Sequence, residues 1–371
     1  MASLSKINIP KARKPRILVA PLDWGLGHAT RCIPIIKELL IHKCEVWIAV
    51  TGDQKALLLE EFPSLSYVEL PGYHIIYDKN RAFTMLRMAG SIPKILIRVK
   101  EEHRWLRRFR EEVELDGVIS DNRYGLWGEG LFSVLVIHQL EVRTTLGSWV
   151  DGMVRRWHYR FMRRFSTIWI PDMPGGMGLA GRLSHPRKMP EVPVRYVGLL
   201  SRFVREEREA DVDLLVLLSG PEPQRSILEA RIWRELAAFT GKVVLVRGKP
   251  AGGVSQLGEL SNVTVYDHLP AAGLNEMMLR AKLVLARAGY STIMDLVRLH
   301  KRSILVPTPG QTEQEYLGKY LAEKGVAVCA RQAGFSLADA MRRADTFPYV
   351  YIEEKGLLEE VAAQSFSGDL G

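Results

Sequence analysis

Polar and apolar positions along the chain fall into short apolar runs separated by stretches of helical spacing. Arg16-Ile17-Leu18-Val19-Ala20-Pro21 reads as a buried strand closed by a loop. Ile33, Ile36, Leu39 and Leu40 then recur at helical spacing, which predicts a helix from about His28 to His42. Glu45 to Val50 is the next strand, ended by Thr51-Gly52-Asp53. Gly117 to Ser120 and Ser133 to Ile137 are further short apolar strands, and Ile168-Trp169-Ile170 is another, stopped by Pro171. Pro171 to Pro193 is rich in Gly, Pro and Met and reads as a loop and interdomain linker. A second series follows, with strands at Leu214 to Leu218, Lys242 to Val246, Val263 to Val265, Leu283 to Leu285 and Ser303 to Val306. Its helices are Gln224 to Phe239, Tyr290 to Leu299 and Glu313 to Glu323, and Glu353 to Gln364 is a final amphipathic helix.

Strands alternating with helices predict parallel sheets covered on both faces. A chain of 371 residues exceeds one ordinary core. The expected fold class is therefore α/β, with two Rossmann-like domains facing across a cleft. The expected boundaries are residues 1–195, residues 196–352, and a helix in residues 353–371 that crosses back to the first domain. No short repeat or low-complexity segment appears.

The composition, 47% hydrophobic and 25% charged, is that of a folded soluble chain. No stretch reaches the roughly 18 uninterrupted apolar residues of a membrane span. Met1 to Lys14 is polar and basic and lacks an apolar signal core, so a cytoplasmic location is expected. Cys32, Cys44 and Cys329 have no metal spacing and read as reduced thiols. The net charge of +9 is uneven: residues 1–195 carry 30 Lys and Arg against 20 Asp and Glu, and the remainder is nearly balanced. Such a field attracts nucleic acid, anionic lipid or an anionic acceptor. No recognition module accompanies the charge, which argues against nucleic acid. Ile92 to Arg110 and Trp149 to Ile170 mix bases with large apolar side chains, as membrane-surface helices do. An anionic membrane surface is the expected partner.

The candidate chemistry lies at strand ends. Gly25 and Gly27 let the chain turn sharply into a helix whose free N–H groups suit an anion. His28 stands at that turn, placed to take a proton from an acceptor hydroxyl. The dinucleotide fingerprint fails there, because its third glycine position is Thr30. Asp121 and His138 follow two apolar strands and fall on the same rim, since open α/β sheets bind ligands beyond the carboxyl ends of their strands. His28 and Asp121 are the catalytic candidates; Gly25, Gly27 and His138 belong to the acceptor side. In the second half, Ser219 and Gly220 follow a strand and can hold phosphate oxygens. Asp295, six residues after Gly289, can accept two hydrogen bonds from ribose hydroxyls. Glu313-Gln314 can read sugar hydroxyls. Asp211-Val212-Asp213 precedes a strand rather than following one, so it reads as a solvated lead-in and not a metal site.

These residues resemble a GT-B glycosyltransferase of the MurG-like type. Val263-Thr264-Val265-Tyr266-Asp267-His268-Leu269 is similar to the strand and loop that meet the nucleobase, which places His268 at the donor. Arg287 to Asp295 resembles the glycine-serine/threonine-acid motif; the resemblance makes Asp295 the ribose ligand and sets Gly289, Ser291 and Thr292 near the diphosphate. Pro307 to Leu317 resembles the segment that contacts the donor sugar, carried here by Glu313, Gln314 and Glu315. Gly27-His28 resembles the acceptor-side Gly-His loop. Val197-Gly198 followed by Arg202 resembles the segment that brings an arginine to the donor phosphates. The chain departs at the phosphate loop, which is Leu218-Ser219-Gly220-Pro221, and at the tandem glutamines, which are Gln314-Glu315.

The resemblance implies a metal-independent hexosyltransferase with no cofactor. Its donor is a UDP-linked hexose or N-acetylhexosamine, and its acceptor is a glycan or lipid-linked molecule of the cell envelope. It would be cytoplasmic and peripheral on the inner face of the cell membrane. A nucleotide-sugar 2-epimerase of similar fold and a non-catalytic membrane-surface binding protein are the rival readings. The epimerase needs acid/base carboxylates around the sugar and no acceptor groove.

Overall fold

The computed structural model describes residues 7, 13–70, 72, 81–141, 148–249, 258–354 and 356–366; the side chains of 81–93, 148 and 177 lie outside that description. Most of the basic N-terminal stretch and residues 73–80 also lie outside it.

Two compact units form: one from residues before 77 with Met85–Ser201 and Glu354 onward, the other built on Arg202–Glu353. In the first, seven parallel strands are described: β1 (Arg16–Pro21), β2 (Glu45–Ala49), β3 (Ser66–Val68), β4 (Gly117–Asp121), β5 (Phe132–Val136), β6 (Thr167–Ile170) and β7 (Val194–Tyr196). Their order is β3-β2-β1-β4-β5-β6-β7. Ile17 to Ala20 are fully buried because β1 is central, with Leu18 between Trp47 and Val118 in register. A strand covered on both faces reads as a continuous apolar run, which is why it was visible in the sequence.

Helix α1 (Leu26–Ile41) buries Ala29, Cys32, Ile33, Ile36 and Leu39 against the sheet. Thr51-Gly52 does end β2, but it also opens an unexpected helix, α2 (Gly52–Glu61). The long basic α3 (Arg81–Val113) follows, and α4 (Ser148–Met162) lies between β5 and β6. Met162, Phe165, Ile168 and Ile170 pack with Leu135 and Ile137 beneath α4. The stretch Pro171 to Pro193 is not a linker between sheets, because β7 returns after it to pair with β6. Buried Asp172 organises that excursion, accepting from the backbone N–H groups of Met173, Leu179 and Ala180.

The second unit has six described parallel strands: β8 (Leu214–Leu217), β9 (Val243–Val246), β10 (Val263–Tyr266), β11 (Val284–Ala286), β12 (Ser303–Leu305) and β13 (Val328–Cys329). Their order is β10-β9-β8-β11-β12-β13. Between them run α5 (Gln224–Leu236), α6 (Ala271–Arg280), α7 (Tyr290–Arg298), α8 (Thr312–Glu323) and α9 (Leu337–Asp345). Leu214, Val216, Leu228, Ile232, Leu285 and Ile304 form its core. The last helix, α10 (Leu357–Phe366), belongs to the first unit, where Phe366 meets Phe132 and Trp169 edge-on. No described helix is long and apolar enough to cross a membrane.

Each sheet reverses its strand order once, between β1 and β4 in the first and between β8 and β11 in the second. The crevice beyond the carboxyl ends of such a strand pair is where open α/β sheets bind ligands.

Candidate active site

In the first unit the reversal point is lined by the β1–α1 turn and the end of β4. Gly25 adopts φ 82°, a left-handed conformation that costs a glycine little, and the chain turns there into α1. Buried Gln54, on α2, holds the turn by donating to the carbonyls of Leu22 at 2.6 Å and Gly25 at 2.8 Å. Gly27 lies within the first turn of α1, where its carbonyl accepts from the Thr30 hydroxyl at 3.0 Å.

His28 follows, and its Nδ1 lies 2.8 Å from Asp121 Oδ2 at the end of β4. Asp121 is fully buried, while the His28 side chain keeps 15% exposure. Arg31, one turn further along α1, donates from Nε to both Asp121 oxygens at 2.8 and 3.0 Å. His138, after β5, is buried and its Nδ1 lies 3.4 Å from an Arg31 terminal nitrogen. The three sequence-predicted residues His28, Asp121 and His138 therefore share one cluster, and Arg31 is the member that sequence reasoning missed. A helix arginine reads as solvated, and only burial at 2% exposure reveals its role.

Electrostatics follow from that packing. Burial lowers the His28 pKa, and the Arg31 charge adds to this against the pull of Asp121. Burial alone would raise the Asp121 pKa, but the Arg31 and His28 charges and hydrogen bonds hold it below the ordinary carboxylate range. The ionised carboxylate can only accept, and the tautomer that donates Nδ1–H to it carries its lone pair on Nε2.

A second buried ion pair steadies the rim. Arg123 donates to Glu102 of α3 at 2.8 Å and to the Pro21 carbonyl at 2.8 Å, tying the long helix to the end of β1. Neither residue was singled out in the sequence.

In the second unit the loops after β8 and β11 flank the reversal point and carry several of the other candidates. Ser219, half-buried, and exposed Gly220, with φ 97°, follow β8. Gly289 caps α7, and Ser291, Thr292 and half-buried Asp295 lie on that helix. Buried Arg287, just after β11, donates to the carbonyls of Val306, Pro307 and Gln224, at 3.2, 3.4 and 2.6 Å. It thus fastens the ends of β11 and β12 to the start of α5. Burial lowers its pKa to about 10, which leaves it cationic near neutrality. Glu313 and Gln314 open α8. Gln314 is partly committed to its own loop, accepting from Thr308 N at 2.9 Å, and Glu315 accepts from Gly310 N at 3.0 Å. His268 is exposed beyond β10, on a loop that buried Arg247 braces through Asp267 at 2.8 Å. Arg202 begins this unit, its guanidinium 5.2 Å from the Phe203 ring centre. Asp211 and Asp213 bind Lys242, Arg280 and Lys282, consistent with a solvated lead-in.

Residues 227–354 match the glycosyltransferase family 28 C-terminal domain. The chain is 22% identical over 328 residues to a UDP-N-acetylglucosamine–N-acetylmuramyl-(pentapeptide) pyrophosphoryl-undecaprenol N-acetylglucosamine transferase of Gloeothece citriformis (strain PCC 7424), covering 84% of this chain and 81% of the relative. Among solved structures, the glycotransferase of kitacinnamycin superposes with a TM-score of 0.64 at 15% identity, over 95% of this chain and 94% of that one. MurG of Acinetobacter baumannii superposes with a TM-score of 0.52 at 14% identity, over 95% and 94%. Two parallel α/β sheets of the GT-B fold, with a glycosyltransferase family 28 C-terminal domain over residues 227–354, make the chain a glycosyltransferase that is similar to the MurG-like enzymes.

Proposed function

We propose that this enzyme transfers a hexose or N-acetylhexosamine from a UDP-sugar to a hydroxyl of a lipid-linked cell-envelope glycan. It works as a peripheral protein on the cytoplasmic face of the membrane. The observation that carries the reading is the His28–Asp121 pair, 2.8 Å apart at the strand-order reversal of the first sheet. His28 Nε2 takes the proton of the acceptor hydroxyl. The freed oxygen bonds to the anomeric carbon as the bond from that carbon to the diphosphate breaks, and the electron pair leaves with UDP. Asp121 stabilises the imidazolium that forms. Gly25, Gly27 and His138 shape the acceptor side.

The second unit holds the donor. Asp295 accepts from the ribose hydroxyls, with His268 at the nucleobase. Ser219, Gly220, Gly289, Ser291, Thr292 and Arg202 meet the diphosphate, and Glu313 and Gln314 meet the sugar. The N-terminal ends of the helices and Arg202 balance the charge of the leaving diphosphate.

The membrane part of the proposal rests on α4. Trp149, Met153 and Trp157 are spaced one turn apart and are 79%, 50% and 50% exposed. Arg155, Arg156 and Arg160 lie among them on the same helix. An exposed aromatic stripe flanked by bases suits the interface of an anionic bilayer. The pyrophosphoryl-undecaprenol named for the Gloeothece citriformis relative supports a lipid-linked acceptor here.

The test is a panel of labelled UDP-sugars with and without polyprenyl-pyrophosphoryl glycan acceptors. Acceptor-dependent sugar transfer is expected, abolished in His28→Ala with UDP affinity retained. Turnover near wild type in His28→Ala would remove the base assignment, and sugar rearrangement without any acceptor would replace the transferase by an epimerase.

A further inference from the structure

Asp121 joins α1 to β4, and Arg31 takes up most of its hydrogen-bonding capacity. Arg31 stands three residues after His28, so both side chains leave the same helix face. Its Nε spans both carboxylate oxygens at 2.8 and 3.0 Å, and a terminal nitrogen also donates to Oδ1. That terminal nitrogen lies 2.8 Å from His28 Nδ1, the same ring nitrogen that meets Asp121 Oδ2 at 2.8 Å. A guanidinium offers only donors and an ionised carboxylate only acceptors. An unprotonated Nδ1 accepts from the Arg31 terminal nitrogen but sets its lone pair against the carboxylate. A protonated Nδ1 donates to Oδ2, and the neighbouring Arg31 terminal nitrogen then directs its hydrogen to Oδ1.

We propose that Arg31 is a positioning residue for the base: its buried clamp aims Asp121 at Nδ1, and its fixed positive charge keeps the ring neutral with Nε2 free. The inference rests on the reading of His28 as the base. A carboxylate alone beside a histidine favours the imidazolium, which cannot accept a proton. Arg31 offsets that charge at a distance where the Asp121 contact survives. The other titratable groups around the ring and its carboxylate are Cys32 on α1, Tyr124 beyond β4 and His138 beyond β5. Burial and Arg31 both act to lower the His28 pKa, in keeping with this role.

The experiment is the pH dependence of kcat, with donor KM and UDP affinity, for wild type, Arg31→Gln, Arg31→Lys and His28→Ala. The donor and acceptor are the pair selected by the panel above. Arg31→Gln removes the cation, so the acid limb of kcat rises by about one pH unit. Its kcat falls roughly 10-fold or more as Asp121 loses its aim, while UDP affinity stays within about twofold. Arg31→Lys keeps the charge but not the planar fork, so the limb stays in place while kcat falls. Wild-type kcat and an unmoved limb in Arg31→Gln would overturn the proposal. If Arg31→Gln does not fold, wild-type kcat in Arg31→Lys overturns the clamp, and a raised limb there overturns the charge effect. Near-normal turnover in His28→Ala removes the base reading itself. Loss of turnover there, with unmoved Arg31 profiles, removes only the Arg31 inference.

Discussion

Replacing Asp121 by Asn tests the catalytic pair with the least change of volume. The carboxylate is fully buried and serves two partners, His28 and Arg31. An Asn side chain has one acceptor oxygen, which can face only one of them. Facing His28, it sets its NH2 against a buried guanidinium, donor against donor. Facing Arg31, it sets its NH2 against His28 Nδ1, which must then accept and move its proton to Nε2. The second arrangement costs less, because a buried charge keeps a partner. It removes the base lone pair from the acceptor side. Losing a general base lowers kcat by about 10²–10⁴-fold. Removing one partner of a buried ion pair costs about 3–5 kcal/mol of stability. A hydrogen bond retained to a charged group returns about 1.5–3 kcal/mol, so a net loss near 2 kcal/mol is expected for Asn and the full loss for Ala. The assays are steady-state turnover, UDP binding by calorimetry, and urea melts. The expected pattern is collapsed kcat, unchanged UDP affinity and a modestly lower urea midpoint in Asp121→Asn. A folded Asp121→Asn enzyme with kcat within about threefold of wild type would refute the tautomer argument, since a loss below about 10² is outside general-base catalysis.

Three further outcomes are expected. Asp295→Ala weakens UDP binding by about 1.5–3 kcal/mol, the size of hydrogen bonds to a charged group, and unchanged affinity in the folded variant would rule out the ribose assignment. Trp149→Ser with Trp157→Ser reduces co-sedimentation with anionic vesicles, and wild-type binding is weaker at high salt; equal binding to neutral and anionic vesicles at both salt levels would count against the membrane reading. His158, on α4, is bonded to Tyr124 and burial depresses its pKa to about 4, so the unfolded chain takes up a proton near pH 6.5 before the folded one does. Stability therefore falls as pH drops from about 6.5 to 4, by roughly 3 kcal/mol from this group, and a His158→Gln variant with the same pH dependence as wild type would contradict that assignment.

Physical burial decides what could be read along the chain. The central strands β1, β4, β5 and β8 were visible because both faces are covered, which forces continuous apolar runs. β13 is two residues long and β7 follows a Gly- and Pro-rich excursion, so neither carries enough pattern to be seen. Helix α2 opens at Gly52 in the left-handed region and buries little beyond Gln54 and Leu58, so its sequence resembles a loop. Helix α9 did carry a usable signal. Ser336 caps it by accepting from Asp339 N, a serine followed three residues later by an acid.

The same logic separates the parts of the active site. His28, Asp121 and His138 were legible because strand ends are conspicuous and parallel sheets bring them to one rim. Arg31, Arg123 and Arg247 were not, because an arginine's type predicts solvent and each is buried beside a carboxylate remote in sequence: Asp121, Glu102 and Glu229. Each of these pairs braces a strand end or loop that carries a candidate residue. Arg31 braces His28, Arg123 the end of β1, and Arg247 the loop of His268, through Asp267. Arg287 differs in donating to carbonyl oxygens, with no carboxylate within hydrogen-bond reach among the described residues. A buried cation held by carbonyls rather than by a carboxylate keeps its charge at a desolvation cost. Buried arginines in both units therefore pair with carboxylates, Arg31 and Arg123 in the first and Arg247 in the second, whereas Arg287 donates to backbone carbonyls and fastens strand ends to α5.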